Sequence, residues 1–235
     1  MANSDEEIST LETSALALLQ QIVEEAHDAP GGDGPIEIGF NYRHANNIAW
    51  LAIELLSCIE RGHVASPPII VRAMLESLFN LAASTCINQF PARKIVWELR
   101  DYLARAKNLD LENVLGDKRL EILALISRLE NQYGLTPNER SWSIARIARE
   151  AGTTDFLRKE YFTLSGHTHS SSFALLSRHD GVYGPLIHQT LVSCLVMGAA
   201  FAAQLLPIHD PQARLDHAVA LGQQQLDLIS RGAFG

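Results

Sequence analysis

The chain has 235 residues, of which 47% are hydrophobic and 20% charged, a composition that excludes an intrinsically disordered protein and predicts a single globular domain over residues 1–235. Its formal net charge of −8 excludes a protein that attracts nucleic acid through a general positive field, although a local basic site is compatible with it.

The cysteines and the N-terminus indicate the compartment. Cys58, Cys86 and Cys194 are far apart and form no Cys-x-x-Cys motif, which argues against a disulfide framework or a zinc knuckle. The acidic N-terminus lacks the positive start of a signal peptide. We therefore expect a soluble, cytoplasmic protein with no cofactor, no bound metal and no membrane partner.

Apolar residues recur with helical spacing along most of the chain. A first helix is predicted from about Ser4 to His27, before a breaker rich in proline and glycine. The stretch Ile36–Phe40 alternates weakly, as a short extended piece would, and a second helix covers about Arg43–Arg61. Ser66-Pro67, a cap followed by proline, starts a third helix that runs to about Asn88.

The helical pattern continues beyond the third helix. The fourth and fifth helices are predicted from Phe90 to about Lys107 and from about Val114 to Tyr133. The residues of a capping box, Thr136 to Glu139, predict a helix that runs through about Glu150. Gly152 ends that helix, and Thr153 or Thr154 caps the next one.

An uncharged run from Gly181 to Ile208 is long enough to span a membrane. Because it contains proline, histidine and glutamine, we interpret it as a buried core helix that stops at Pro207. Asp210-Pro211 then starts a final helix over about 210–232. The whole pattern predicts an all-α protein, an antiparallel helical bundle of about eight or nine helices.

A polar segment over 158–172 holds residue types that chemistry needs. Its candidate side chains can bind an anion or exchange a proton: Arg158, Tyr161, Ser165, His167 and His169. Tyr161, Ser165 and His169 are spaced i, i+4, i+8 and share one face if the helix continues, although Gly166 could end it. A buried hydrogen-bond network that only joins two helices would use the same residues.

The third helix carries a matching stripe, in which Arg72, Glu76 and Asn80 are also spaced i, i+4, i+8 among apolar residues. One interpretation is a narrow solvent face with one Arg–Glu pair, and the spacing by itself favours it. The other is that the stripe faces Tyr161, Ser165 and His169, with Glu76 holding Arg72 or a histidine in place.

The spacing of residues also bears on metal binding and on DNA binding. His167 and His169 diverge on a helix and have no obvious third ligand, so a metal site is not predicted. The stretch 142–154 resembles the first helix and turn of a helix-turn-helix motif, although Arg158 stands where that motif needs a buried apolar residue. DNA binding through this element therefore remains an alternative.

The Arg-x-x-x-Glu motif, Arg72 to Glu76, and the Tyr-x-x-x-Ser-x-x-x-His motif, Tyr161 to His169, together resemble a family of bacterial domains of unknown function over about 41–206. That family is similar in helical layout to the HEPN superfamily. HEPN members include dimeric, metal-independent ribonucleases and partners in toxin–antitoxin and defence systems. The resemblance therefore implies a HEPN-like bundle, a homodimer, and RNA or a nucleotide as the ligand.

The resemblance also implies roles for single residues. Arg72 would bind phosphate, Glu76 would orient Arg72, and His169 would act as the acid or base. Tyr161 and Ser165 would position the substrate, and we place Arg158 and His167 beside them. In active HEPN ribonucleases a histidine follows an arginine after about four to six residues, a spacing that is absent here, so the catalytic groups would have to meet in space.

The expected function is therefore an RNA- or nucleotide-binding pocket in a bacterial stress or defence context, with cleavage left open. The main alternative is a non-catalytic module that binds a partner protein and uses the same polar cluster as a structural network.

Overall fold

The computed structural model describes residues 2–27, 35–63, 66–109, 115–137, 139–168 and 184–234, and for residues 2, 3 and 166–168 it describes the backbone alone. Within these ranges the chain forms nine α-helices and no strand, which confirms the all-α prediction. The helices are α1 Ala2–His27, α2 Ile36–Glu60, α3 Pro67–Cys86, α4 Phe90–Asn108, α5 Asp117–Tyr133, α6 Ile144–Glu150, α7 Asp155–Thr168, α8 Gly184–Leu205 and α9 Pro211–Ser230.

The main apolar core surrounds α3 and α8. Helix α8 packs against α1, α2, α3 and α9, and α3 packs against α2, α4, α6, α7 and α8. Each of these two helices is long and apolar enough to cross a membrane by length and composition, and more than half of each apolar stretch is buried among the other helices. The burial agrees with the interpretation of α8 as a core helix.

The start of α2 differs from the prediction. The stretch Ile36–Phe40 is helical and not extended, and α2 begins directly after Pro35. Proline cannot extend a helix toward its own N-terminal side but favours its first turn. Phe40 then lies on the buried side of that helix, where its ring meets the edge of Phe90 with 6.1 Å between the centroids. The weak alternation of period two was therefore a misleading signal.

The predicted capping box does not start a helix. Residues 139–143 are not helical, and α6 begins at Ile144 with the Ser143 hydroxyl accepting a hydrogen bond from the Arg146 amide at 3.3 Å. Glu139 lies 3.7 Å from the Arg93 guanidinium of α4, and Trp142 packs on Trp97. These contacts with α4 hold the segment against a neighbour, so that tertiary packing overrides the local pattern.

The other predicted caps differ in their contacts. The Asp210 carboxylate accepts a hydrogen bond from the Ala213 amide at 3.1 Å, and the Thr154 hydroxyl accepts one from the Leu157 amide at 3.4 Å. The Ser66 side chain makes no such bond, although Ser66 does precede the first turn of α3. Proline at the first helical position is enough to begin α3 there.

Close packing of α8 requires a glycine, which leads to a testable prediction. A Cβ atom on Gly198 would lie 3.3 Å from the Ile48 Cδ1 atom of α2 and 3.7 Å from the Leu19 Cδ2 atom of α1. We expect Gly198→Leu to lower the free energy of unfolding by about 1–3 kcal/mol, because the core has no room for the added carbons. Urea unfolding followed by circular dichroism measures this change.

A matched control is Gly39→Leu. Gly39 also lies within a helix, but a Cβ atom there meets nothing within 4 Å. We expect this variant to be at least as stable as the wild type, because leucine is the better helix former. Equal losses in the two variants would show that α8 does not approach α1 and α2 as closely as the structure has it.

Candidate functional site

The candidate site lies where α7 packs along α3. The side chains of Leu157, Tyr161 and Leu164 form the buried stripe of α7. Phe79 of α3 meets the Tyr161 ring edge-on, with 5.8 Å between the ring centroids. This packing therefore sets the position of α7 along α3 and the rotation of α7 about its own axis. It places the Tyr161 hydroxyl beside the polar residues of α3.

Three polar side chains meet at this contact, and we call them the Arg72–Glu76–Tyr161 cluster. The Tyr161 hydroxyl donates to Glu76 Oε1 at 2.9 Å and accepts from Arg72 Nη2 at 3.2 Å. Arg72 Nη2 lies 3.1 Å from Glu76 Oε1, and the Arg72 guanidinium carbon lies 5.3 Å from the centre of the tyrosine ring. Each member thus contacts the other two, which restricts all three side chains.

The electrostatics of the cluster keep the tyrosine protonated. Burial raises the pKa of Tyr161, the hydrogen bond from Arg72 lowers it, and the Glu76 carboxylate raises it again, with a raised pKa as the net result. The phenol therefore acts as a hydrogen-bond donor and not as a base. Its role in the cluster is to hold the Glu76 carboxylate, while Arg72 supplies the positive charge.

The cluster is partly open to solvent. Tyr161 is only 7% exposed, but the side chains of Arg72 and Glu76 are 24% and 40% exposed. A charged ligand can approach the arginine and the carboxylate, whereas the phenol is covered. The predicted Arg72–Glu76 pair is present, but both side chains also bond to Tyr161, so the stripe is more than a solvent face.

The other predicted site residues lie in different positions. The Ser165 hydroxyl donates to the Tyr161 carbonyl at 2.8 Å, one turn back along α7. Asn80, the third residue of the stripe, is buried, and its side-chain oxygen has no hydrogen-bond partner among the described residues. Arg158 forms an ion pair with Asp155 in the first turn of α7.

The two predicted histidines, His167 and His169, fall at the C-terminal end of α7 and beyond it. The backbone of His167 belongs to α7, but its side chain and all of His169 lie outside the described residues. Among the described residues, no three histidine, cysteine, aspartate or glutamate side chains come together in a way that would hold a metal ion.

The helix-turn-helix interpretation can be compared with α6 and α7. Gly152 turns the chain between them with a φ of +67°. However, DNA binding would need α7 to be exposed, and the stripe of Leu157, Tyr161 and Leu164 is buried along the length of this helix. The packing of α7 weighs against that function.

The sequence did not indicate a second polar surface, which lies on α2. Five residues of α2 line a depression of about 360 Å³: Arg43, His44, Asn46, Asn47 and Trp50. The available signal was Trp50, because a tryptophan that falls outside the apolar stripe of a helix is exposed. The remaining residues are ordinary for a solvent face, so the sequence offered no reason to group them.

Comparison with known proteins gives one match. No curated protein and no solved structure matches the chain. A family model described as a family of unknown function, DUF5677, matches residues 42–182. The matched range contains the whole Arg72–Glu76–Tyr161 cluster and covers more than half of the chain. The protein therefore belongs to the DUF5677 family of unknown function.

Proposed function

We propose that this protein binds RNA or a nucleotide at the Arg72–Glu76–Tyr161 cluster. The observation that carries the proposal is a solvent-reachable arginine held in one orientation by a carboxylate and a buried phenol on two different helices. An arginine fixed in this way is suited to bind a phosphate, because its orientation entropy is already lost before the ligand arrives. The exposed part of Glu76 would contact a ribose hydroxyl.

The proposal assigns the following residues to the same site. Ser165 lies one turn beyond Tyr161 on α7 and would position the ligand, with His167 and Arg158 near it. His169, two residues after His167 in the sequence, would exchange a proton with a ribose hydroxyl or the leaving oxygen. That chemistry would make the protein a metal-independent ribonuclease.

The biological setting in this proposal comes from the resemblance described above. The protein would be a HEPN-like, cytoplasmic, bacterial homodimer that acts in stress or defence. These features remain predictions.

A non-catalytic module that binds a partner protein is the second candidate. The observation that favours it is the pair Leu120 and Leu123, which are exposed three residues apart on α5. Such a pair on one helical face is suited to contact an apolar surface. In this case the Arg72–Glu76–Tyr161 cluster would only join α3 to α7.

The replacement Arg72→Gln tests the proposed function. We expect it to weaken binding of single-stranded RNA at least about tenfold and to reduce the salt dependence of binding by about one phosphate contact. Fluorescence anisotropy with a labelled oligonucleotide at several salt concentrations measures both quantities. Incubating end-labelled RNA without metal, with wild type and His169→Ala, would show whether binding leads to cleavage.

Arg149→Gln is a matched control, because Arg149 also pairs with a neighbouring glutamate, Glu150, at 3.1 Å but lies on the exposed side of α6. We expect this variant to bind RNA like the wild type. If Arg72→Gln and Arg149→Gln bind RNA equally well, the cluster is not the RNA site, and the partner-protein function takes its place.

A further inference from the structure

The outer face of α2 combines side chains that recognise a nucleotide. Trp50 is 56% exposed, although a tryptophan of this size would normally bury most of its ring in a monomeric protein. Asn46 and Arg43 are exposed one and two turns before it on the same helix. All three border the depression of about 360 Å³.

The floor of this depression is held in place by one contact with α3 and one within α2. The Asn47 side-chain amide donates to the Ser77 hydroxyl of α3 at 2.8 Å. The His44 ring meets the Phe40 ring edge-on at 4.5 Å between the centroids. These contacts fix two polar side chains, so a ligand would find them already oriented.

The charge of the depression suits an anion. Burial, together with the positive charges of Lys94 and Arg43, lowers the pKa of His44 to about 4. The ring is therefore neutral near pH 7, where it can both donate and accept a hydrogen bond. Arg43 supplies a guanidinium group at the rim of the depression.

We propose that this face of α2 is a nucleotide-binding site, in which Trp50 stacks on the base, Asn46 and Asn47 contact the base edge, and Arg43 binds the phosphate. An aromatic platform beside a cation and amide side chains is how proteins hold single nucleotides and single-stranded RNA. A purely apolar partner would offer no hydrogen-bond partner to Arg43 or Asn46, which is costly in an interface.

This site is separate from the Arg72–Glu76–Tyr161 cluster, and only its ligand class is shared with the proposed function. Ser77, which binds Asn47, follows Glu76 directly on α3. An RNA strand that crosses α3 could therefore touch both sites. A free mononucleotide could occupy the α2 face without reaching Arg72.

Isothermal titration calorimetry with AMP, UMP, adenosine and a short single-stranded RNA tests the site. We expect Trp50→Ala to weaken binding of the nucleotides or the RNA about 5- to 100-fold, as loss of one base–aromatic stack does. Adenosine should bind more weakly than AMP, because it has no phosphate for Arg43. Binding of AMP and UMP would identify free nucleotides as ligands, and binding of the RNA alone would identify a strand.

Tyr102→Ala is the control, because Tyr102 is an aromatic residue exposed to a similar degree on α4 and does not line the depression. It should bind like the wild type, and Asn46→Ala provides a second, milder variant on the site itself. The proposal is overturned if no nucleotide or RNA binds, or if Trp50→Ala and Asn46→Ala both bind like the wild type. If only Arg72→Gln loses RNA binding, the site on α2 is overturned and the proposed function at the Arg72–Glu76–Tyr161 cluster stands. If only Trp50→Ala loses RNA binding, the site on α2 stands and the proposed function at the cluster is overturned.

Discussion

Replacing His188 with leucine should lower the free energy of unfolding by about 3 kcal/mol, the effect expected when the partner of a buried charge is removed. His188 Nδ1 of α8 lies 2.6 Å from Glu12 Oε1 of α1, and the Glu12 side chain is only 6% exposed. Leucine would leave that carboxylate in the core without its hydrogen-bond donor. Urea unfolding at neutral pH measures the loss.

The pH dependence identifies the cause of this loss. The hydrogen bond to Glu12 raises the pKa of His188, burial opposes it, and the charges of Glu12 and Asp5 raise it further. Because the folded pKa is above the ordinary value of 6.5, this stability is complete below pH 6.5 and is lost as pH rises through the raised folded pKa. The difference between wild type and His188→Leu should therefore shrink at alkaline pH.

A double variant provides the control. Glu12→Leu with His188→Leu removes both polar groups and fills the space with apolar carbons, so its stability should return to within about 1 kcal/mol of the wild type. If His188→Leu alone is as stable as the wild type at pH 6, the histidine and the glutamate do not interact as the structure places them.

Helices were predictable where one local periodicity determines both structure and burial. The apolar stripe of α1 was visible in the sequence, and Leu11, Leu18 and Leu19 are all buried. Helices α3 and α8 were visible because most of their residues are apolar. A periodicity needs no knowledge of the neighbouring helix, so the chain alone contains the information.

Local signals failed where another helix competes for the same residues. Thr136 and Glu139 have the types of a capping box, yet Glu139 pairs with Arg93 and the helix begins later, at Ile144. A capping box stabilises a helix by about 1 kcal/mol, which an ion pair and the packing of one tryptophan can match. The choice between them depends on α4, which lies far away in the sequence.

The candidate site was likewise predictable only in part. The spacing of Arg72 and Glu76 was enough to place them on one face of α3, but not to identify what that face contacts. Tyr161 follows Glu76 by 85 residues, and the pair Glu12 and His188 is separated by 176 residues. Pairing over such distances follows from the packing of whole helices, to which no short motif corresponds.

Replacing Tyr161 with alanine should lower the free energy of unfolding by about 4 kcal/mol, because it empties a buried aromatic position between α3 and α7. The ring contacts Phe79 edge-on, and its hydroxyl bonds to both Arg72 and Glu76. The variant would lose the packing and the hydrogen bonds together. Its stability alone therefore cannot separate a structural role of the tyrosine from a role in the site.

Tyr161→Phe separates the two roles, because it keeps the ring and removes only the hydroxyl. We expect it to lose about 1–2 kcal/mol of stability, the cost of leaving the partners of a hydrogen bond unpaired, and to stay folded at room temperature. If Tyr161 holds Arg72 and Glu76 for a ligand, RNA affinity should fall in this stably folded variant. Normal RNA affinity together with the stability loss would mean that the phenol serves only to join α7 to α3, and the cluster would then be a structural network.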